Sequence, residues 1–358
     1  MGEKLMKIVL TGGGTAGHVT PNIALLPALT RRGYEIRYIG SYAGIERGLI
    51  SLCSIPYYGI SSGKLRRYLD IKNVTDIFRI TKGLFDAMAI LRRIRPDVVF
   101  SKGGFVTVPV AAAAHMLGIP VVIHESDITP GLATRLIMPF AKAVCTSFPE
   151  TLQYVSGDRG VLTGSPLRAS LWEGDAKEGR RLCGFDKLPP MPAILVTGGS
   201  LGALAINRCI FELLPRLLKN FRIIHLCGKG NIEEDSRPGY APFEYAQEEM
   251  PHLLAAADIV ISRAGANTIF ELLALKKPNL LIPLTKAASR GDQILNAASF
   301  EKQGYSKIMR EEEMTADLLY NAVLSLYNER KRYTKQMGSA NPGEGVGRVI
   351  AEIERWTR

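Results

Sequence analysis

Hydrophobic and polar positions follow two alternating patterns along most of the chain. Short runs of β-branched and other apolar residues, such as 7–10 and 193–196, predict strands buried on both faces of a parallel sheet. Between them lie stretches with helical spacing, one of which begins at Pro21 and ends before Gly33. Further strands are predicted at 34–39, 97–100, 121–124, 143–146, 223–227, 258–262 and 279–282. This alternation indicates an α/β fold with doubly wound parallel sheets.

Two glycine-rich turns stand at equivalent places in the two halves of the chain. Gly12-Gly13-Gly14 follows the first predicted strand, and Gly198-Gly199 follows the strand at 193–196. Each turn leads into a helix, so backbone N–H groups and the positive end of the helix dipole would converge where an anion can bind. We therefore expect two similar domains whose turns face each other across a cleft.

The boundary between these domains is predicted at the polar turn 164–168. Residues 1–164 would form the first domain and residues 165–340 the second. An amphipathic helix at 346–356 is expected to pack back on the first domain, so that about 341–358 belong to it. The stretch 228–242 is predicted to be a mobile loop.

Composition narrows the class of protein without identifying it. Hydrophobic residues make up 46% and charged residues 22% of the 358 positions, as in ordinary globular proteins of two domains. No signal-peptide pattern precedes the first strand, and the longest apolar tract, 106–123, is interrupted by prolines, a histidine and a glycine. Five cysteines without a CxxC pair indicate reduced thiols in a cytoplasmic protein.

The formal net charge of +11 is concentrated in the segment 64–95, which holds nine basic and three acidic residues. The same segment carries apolar residues such as Leu69, Ile77 and Phe78, and a basic amphipathic surface of this kind is typical of proteins that bind an anionic membrane. The alternative is an ordinary core face of a helix surrounded by solvated arginines, and the pattern alone is compatible with both. We expect no nucleic-acid partner, because the basic residues are not interleaved with stacking aromatics.

The first glycine turn departs from two common nucleotide-binding patterns. It lacks the Lys-Ser/Thr pair of a P-loop, which argues against nucleotide hydrolysis of that type. The strand after it ends in Gly40-Ser41, without the acidic residue that binds the ribose of a dinucleotide. His18 stands at the start of the following helix, where it could act as a general base.

Polar residues also follow other predicted strands at the same sheet edge. In the second half, the turn that holds Ser200 suits a diphosphate, Glu271 suits the hydroxyls of a ribose, and Asp292-Gln293 suits those of a sugar. The alternative for each is structural: a helix cap, an exposed helix charge or the start of the next helix.

Seven motifs occur in a fixed order: TGGGTAGHVTPN, SKGGFVTVP, HESDITPGLATR, TGSPLR, TGGSLGALAIN, SRAGANTIFELL and SRGDQILNA. In this combination the chain resembles the MurG family over nearly its whole length. That family transfers N-acetylglucosamine (GlcNAc) from UDP-GlcNAc to the 4-hydroxyl of undecaprenyl-pyrophosphoryl-MurNAc-pentapeptide, which converts lipid I to lipid II in peptidoglycan synthesis. The resemblance implies a GT-B fold of two Rossmann-like domains, inversion at the anomeric carbon, no cofactor and no bound metal.

The resemblance also implies which residues form the site. His18 or Asp127 would remove the proton of the acceptor hydroxyl, and Asp127 enters because a carboxylate replaces the amide usual in the family. Arg168 and the Ser200 turn would stabilise charge on the UDP phosphates. The acceptor is expected at Gly14, Thr15, His18, Gly103, Gly104, Phe105 and Glu125. The donor is expected at Thr15, Ala16, Gly17, Asp127, Arg168, Ser200, Ala266, Asn267, Thr268, Glu271 and Gln293.

Two further departures from the family pattern affect single contacts. Residues 245–247 are Tyr-Ala-Gln where a more apolar segment is usual, so the residue that covers the uracil is not assigned. Asp292 precedes Gln293 where other members often carry His or Gln, which affects only the neighbouring contact.

The resemblance implies a peripheral protein at the cytoplasmic face of a bacterial cell membrane, with a cell-wall synthesis complex as a candidate partner. Two alternatives to the transferase are kept. A related UDP-sugar enzyme, such as a diacylglycerol glucosyltransferase or a UDP-GlcNAc epimerase, would keep the donor half and use the first half differently. A nucleotide-sugar-binding or nucleic-acid-binding module would bind without turnover.

Overall fold

A computed structural model describes residues 5–63, 72–199, 202–232 and 237–357, with the backbone alone for 72–77. The chain divides into two compact units. The first comprises Met1–Arg168 and Gly343–Arg358, and the second comprises Ala169–Pro342. Each unit is built on one parallel sheet, which confirms the predicted α/β class.

The sheet of the first unit has seven parallel strands. They are β1 (Lys7–Thr11), β2 (Glu35–Ser41), β3 (Tyr57–Ile60), β4 (Val98–Ser101), β5 (Val121–Glu125), β6 (Ala143–Thr146) and β7 (Gly160–Leu162). Their order is β3-β2-β1-β4-β5-β6-β7, so the direction of winding reverses between β1 and β4. The turns that follow these two strands therefore lie side by side at the carboxyl edge, where sheets of this kind bind ligands.

Helices cover both faces of this sheet, and successive residues of β1 enter different cores. Ile8 and Leu10 pack in one cluster with residues of the helix near the N-terminus and of the C-terminal helix, whereas Val9 packs in the other. Burial on both faces explains why the three central residues of β1, Ile8, Val9 and Leu10, are all apolar. The helices of the unit are α1 (Thr20–Arg31), α2 (Ile45–Ser51), α3 (Lys72–Ile94), α4 (Thr107–Met116), α5 (Leu132–Ile137) and the C-terminal helix (Gly345–Trp356).

The second unit repeats the arrangement with six parallel strands. They are β8 (Ala193–Thr197), β9 (Arg222–Leu226), β10 (Tyr240–Phe243), β11 (Ile259–Ser262), β12 (Asn279–Leu281) and β13 (Ser306–Ile308). Their order is β10-β9-β8-β11-β12-β13, with the reversal between β8 and β11. The helices are α6 (Ala176–Leu182), α7 (Leu204–Leu217), α8 (Met250–Ala256), α9 (Ala266–Ala274), α10 (Asp292–Lys302) and α11 (Ala316–Met337).

The central strands lie where the hydrophobic pattern predicts them, but the outermost strand at each sheet edge was not predicted. These four strands, β3, β7, β10 and β13, are three or four residues long and contain a glycine, a proline or a charge that breaks the apolar run. β10 also corrects the end of the mobile loop predicted at 228–242, because residues 240–242 belong to a strand in which Tyr240 pairs in register with Ile223 of β9. Pro242 lacks an N–H group, which is tolerated in an edge strand.

Candidate functional site

The two turns at the switch point of the first sheet interlock through their backbones. The N–H of Gly13 donates to the carbonyl oxygen of Gly103 across 3.3 Å, and the N–H of Lys102 donates to that of Thr11 across 2.9 Å. Gly104 has a φ of +88°, and a Cβ there would lie 2.1 Å from the carbonyl oxygen of Gly13. Only glycine fits this close approach, so the two turns are held as one surface.

His18 lies in a short 3-10 turn, Ala16–His18, that continues from the first glycine turn. Its Nδ1 atom is 3.0 Å from the carbonyl oxygen of Gly13 and 3.1 Å from Oγ1 of Thr15. Because a carbonyl oxygen can only accept, this contact assigns the proton to Nδ1 and the lone pair to Nε2. The edge of the ring that carries Nε2 faces Gly103. A Cβ added to Gly103 would lie 3.7 Å from Nε2.

A carboxylate that the sequence reasoning missed occupies the first glycine turn. Oε2 of Glu46, at the start of α2, accepts the N–H of Gly14 across 3.1 Å. With the N–H of Gly13 bonded to Gly103, these two amides are used within the protein. This differs from the expectation that the amides of the turn, those of Gly13 and Gly14 among them, converge on a substrate anion.

Glu125 shapes the loop that carries Asp127. Its Oε1 atom accepts the N–H groups of Ser126 (2.9 Å) and Asp127 (3.1 Å), and its Oε2 atom accepts that of Gly131 (3.1 Å). Glu125 is buried, whereas Asp127 is half-buried. The carboxylate expected at the acceptor is therefore engaged by three backbone amides of its own loop.

Lys102 is a buried cation between the loops after β4 and β5. It is 2% exposed, and its Nζ atom donates to Oγ of Ser126. Burial lowers the pKa of Lys102 to about 8, although the negative charges of Glu125 and Asp127 act in the opposite direction and raise it. Burial, with the charge of Lys102, also holds the pKa of His124 well below its usual range, so the His124 imidazole is neutral.

A cavity of about 850 Å³ opens beside the first glycine turn. It extends from His18 and Phe105 to Tyr42 after β2 and Arg79 on α3. The cavity offers room for a substrate next to the imidazole of His18.

The remaining expected residues of the first unit are placed as follows. Thr15 and Gly17 are exposed, and Ala16 is half-buried, in and beside the turn of His18. Arg168, half-buried, is the last residue of this unit before the chain enters the second one.

In the second unit, the expected donor residues gather on two helix starts. Ala266 begins α9, and Asn267, Thr268 and Glu271 lie half-buried in its first two turns. Gln293 is the second residue of α10, and its Oε1 atom accepts the N–H of Leu284 across 3.1 Å. β11 and β12, which lead to these regions, are neighbours in the sheet. Ser200 lies outside the described residues.

Arg263, which was not predicted, holds the turn between β11 and α9. Its guanidinium is buried, forms an ion pair with Glu311 and donates from Nη1 to the carbonyl oxygen of Ile282 across 3.1 Å. A buried arginine satisfied by a carboxylate and a carbonyl fixes the loop geometry around the start of α9.

The segment 64–95 divides between an undescribed part and α3. The predicted basic residues between 64 and 71 lie outside the described residues. On α3, Ala87 and Leu91 enter the core, whereas Phe78 is 73% and Phe85 63% exposed. Met116, at the end of the neighbouring α4, is 62% exposed. The helix therefore has both a core face and an exposed apolar face.

The described residues show neither a metal-binding cluster nor a membrane-spanning helix. They contain no group of three or more His, Cys, Asp or Glu side chains arranged to hold a metal ion. None of the helices in the described ranges combines the length and apolarity that crossing a bilayer requires.

Comparisons with known proteins give the same family from sequence and structure. Residues 8–146 match the glycosyltransferase family 28 N-terminal domain, and residues 193–353 match the glycosyltransferase family 28 C-terminal domain. A protein of Clostridium botulinum is 54% identical over 99% of this chain and 100% of its own length. One of Clostridium kluyveri is 56% identical over 98% and 100%. Both carry the name UDP-N-acetylglucosamine--N-acetylmuramyl-(pentapeptide) pyrophosphoryl-undecaprenol N-acetylglucosamine transferase.

Solved structures confirm the predicted GT-B type of fold. MurG of Acinetobacter baumannii superposes with a TM-score of 0.75 at 28% identity, covering 98% of this chain and 99% of that one. The glycotransferase of kitacinnamycin superposes with a TM-score of 0.77 at 16% identity, covering 99% and 100%. With relatives more than half identical over nearly the full length, the chain belongs to the MurG family of glycosyltransferases.

Proposed function

We propose that this chain is a UDP-GlcNAc-dependent N-acetylglucosaminyltransferase that converts lipid I to lipid II in peptidoglycan synthesis. The observation that carries this proposal is 54–56% identity, over 98–99% of the chain, to transferases named for that reaction. The motifs of both halves lie at the carboxyl edges of the two sheets, where parallel sheets bind substrates.

The reaction is a single displacement in which bonds and protons balance. The 4-hydroxyl oxygen of MurNAc forms a bond to C1 of GlcNAc, the bond from C1 to the β-phosphate oxygen of UDP breaks, and the configuration at C1 inverts. The hydroxyl proton passes to the base, and UDP leaves with the electron pair. His18 suits the base because its Nδ1–H donates to Gly13 and its lone pair is on Nε2.

Asp127 is the weaker candidate for the base. The positive charge of Lys102 attracts the carboxylate of Asp127. The charge of this carboxylate is therefore already engaged within the protein. Asp127 is instead suited to accept a hydrogen bond from a substrate hydroxyl.

The donor half stabilises the leaving group and orients the sugar. Arg168 and the Ser200 turn would neutralise charge on the UDP phosphates, a contribution of about 3 kcal/mol for a preorganised donor. Glu271 on α9 would bind the ribose hydroxyls, and Gln293 on α10 the hydroxyls of GlcNAc. Because Oε1 of Gln293 already accepts the N–H of Leu284, its Nε2 group is oriented as a donor.

The acceptor diphosphate is assigned to the second turn of the first unit. The N–H groups of Gly103, Gly104 and Phe105 have no hydrogen-bond partner within the described part of the protein. They precede α4, whose dipole favours an anion at this end. The carboxylate of Glu46, which accepts the N–H of Gly14, would repel a diphosphate from Gly13 and Gly14.

The exposed apolar face of α3 and α4 supports a peripheral position on an anionic membrane. Phe78, Phe85 and Met116 would insert among the lipid headgroups, with Arg79 and Lys82 beside them on α3. The acceptor's prenyl chain could then remain in the bilayer while its sugar reaches His18.

The experiment that tests the function is a transfer assay. Purified protein is incubated with radiolabelled UDP-GlcNAc and a short-chain lipid I analogue, and with the donor alone as control. Labelled disaccharide-lipid, formed only when the acceptor is present, is the expected result. Release of UDP without a labelled lipid would overturn the acceptor assignment and favour a related UDP-sugar enzyme.

A further inference from the structure

We propose that Glu46 is a positioning residue for His18 and acts through the peptide bond between Gly13 and Gly14. The inference rests on the proposed function, because it takes His18 as the base. It adds to the site an acidic group whose carboxylate oxygens are bonded to Gly14 and Ser41 of the protein itself.

Two hydrogen bonds connect the carboxylate of Glu46, the peptide unit between Gly13 and Gly14, and the imidazole of His18 in series. The N–H of Gly14 donates to Oε2 of Glu46 across 3.1 Å. The carbonyl of the same peptide unit, which belongs to Gly13, accepts Nδ1–H of His18 across 3.0 Å. One planar amide group therefore connects the carboxylate to the imidazole.

The carboxylate is built into its place. Glu46 is fully buried, and its Oε1 atom accepts the N–H of Ser41 (2.9 Å) and the hydroxyl of Ser41 (2.5 Å). A Cβ at Gly13 would stand 2.6 Å from the Glu46 carboxyl carbon, and one at Gly44 would stand 2.2 Å from a carboxyl oxygen. Glycines thus make the space that the side chain fills.

This carboxylate is charged in the folded protein. Burial alone would raise the pKa of Glu46, but the hydrogen bonds from Ser41 and Gly14 outweigh it and hold the pKa below the usual range. A fixed negative charge is therefore kept on the N–H side of the amide.

A hydrogen bond to the N–H of an amide polarises the amide and makes its carbonyl oxygen a better acceptor. The Gly13 carbonyl would then hold His18 as the Nδ1–H tautomer and stabilise the imidazolium that forms when Nε2 takes up the proton. A buried aspartate does the same by direct contact in the Ser-His-Asp triad. Here the contact runs through one peptide group.

Other charged and titratable groups lie around this turn. They are Tyr38, Tyr42, Tyr57, Arg79 and Lys102, from the strands, loops and helices packed about it. Among the described residues, only Glu46 is hydrogen-bonded to the N–H of Gly14. Replacing Glu46 leaves the other groups in place, so a change at His18 then reports on Glu46.

The test is ¹⁵N NMR of the histidine rings combined with pH profiles of kcat/KM for the wild type and Glu46→Gln. The wild type is expected to show His18 as the Nδ1–H tautomer. In Glu46→Gln the pKa of His18 falls by roughly half to one pH unit, and the acid limb of the profile moves with it. We also expect kcat to fall about threefold to tenfold, the largest rate effect that this change of pKa can produce.

Glu35→Gln is the matched control, because Glu35 is a carboxylate on β2 of the same unit that pairs with Arg37 and Lys7. It should leave the tautomer, the pKa of His18 and kcat unchanged. Wild-type His18 present as the Nε2–H tautomer would overturn the proposal, and this measurement does not depend on whether a variant folds. A folded Glu46→Gln protein with unaltered His18 pKa and pH profile would overturn it too.

The two proposals fail separately. If the wild type does not label the lipid, the proposed function fails, while the NMR result still reports the link from Glu46 to His18. If transfer occurs and His18 is insensitive to Glu46, only the present inference fails.

Discussion

The Nζ atom of Lys102 donates a hydrogen bond to the Oγ atom of Ser126 across 2.5 Å. This bond ties the loop after β4 to the loop after β5, and it places a positive charge next to Glu125 and Asp127. Burying an ammonium group costs free energy of desolvation. A buried lysine is therefore expected where its charge contributes to function. Lys102 is therefore expected to serve activity more than stability.

Lys102→Met should lower transfer about tenfold to hundredfold, because the turn 103–105, proposed to bind the acceptor diphosphate, loses the adjacent positive charge and the bond to Ser126 that holds it. The free energy of unfolding should stay the same or rise, since a methionine of similar length needs no desolvation. Transfer rates and urea unfolding curves measure the two effects. Lys307→Met is the control, because its Nζ atom bonds Oγ of Ser325 (2.7 Å) in the other unit. A loss of stability without loss of activity would contradict this role.

His18→Ala should lower kcat by about 10²–10⁴-fold, the usual contribution of a general base. Asp127→Asn should cost less than about tenfold, because an amide still accepts a hydrogen bond. Both are measured in the lipid I transfer assay with saturating UDP-GlcNAc. If Asp127→Asn is the more damaging change, Asp127 is the base and His18 is not.

Phe78→Ser and Phe85→Ser should weaken binding to vesicles that contain anionic lipid. Each phenylalanine inserted into the interface contributes about 1.5–3 kcal/mol, so the double variant should bind roughly a hundredfold or more weakly. Co-sedimentation with vesicles measures the binding affinity. Transfer to a soluble acceptor should be unaffected. Leu318→Ser, which alters an exposed apolar residue of the second unit, is the control. Equal vesicle binding by the wild type, the double variant and Leu318→Ser would refute the assignment of the exposed apolar face of α3 to membrane binding.

Treatment with EDTA should leave transfer within about twofold of the untreated rate, since Arg168 and the Ser200 turn would perform the charge stabilisation that a divalent ion supplies elsewhere. The assay compares chelated protein before and after addition of Mg²⁺ or Mn²⁺. Strict dependence on an added ion would show that the donor diphosphate needs a metal.

Stability should depend on pH through buried histidines. Burial lowers the pKa of His225 from 6.5 to about 4, and its neutral ring bonds Tyr240 and Asn207. The unfolded chain therefore binds more protons between these pH values, so the free energy of unfolding falls as pH drops through 6.5 towards 4. Between pH 7 and pH 5 the loss from His225 should be about 2 kcal/mol.

Urea unfolding at the two pH values measures this dependence. The glutamine of His225→Gln cannot titrate, so the free energy of unfolding should depend less steeply on pH in this variant. Part of the dependence should remain, because His124 is also buried and neutral. A slope unchanged by the substitution would exclude His225 as its source.

The sequence predicted those parts of the fold that are buried on both faces. Residues 193–196 are apolar at every position because β8 lies in the middle of its sheet, and the prediction missed only Thr197 at its end. The edge strands were missed because one of their sides meets no neighbouring strand and their composition is less constrained. β13 has the sequence Ser-Lys-Ile, which has no pattern that distinguishes it from a loop.

The candidate site was predicted as far as its residues lie in short motifs. Glu46 was missed because its partner Gly14 is 32 residues away, and only the pairing of β1 with β2 brings the two together. Its one sequence signal is that it is the first acidic residue after β2. Lys102 was visible in its motif, but nothing in the sequence indicates that Ser126 would bond it.

The C-terminal helix gives the order in which the two units can be completed during synthesis. Val349, Ile350 and Ile353 belong to the core that β1 and α1 form at the other end of the chain. The second unit is continuous, and all its residues leave the ribosome before these three do. The second unit can therefore fold first, whereas the first unit must wait with an exposed apolar face until residues 349–353 have been synthesised.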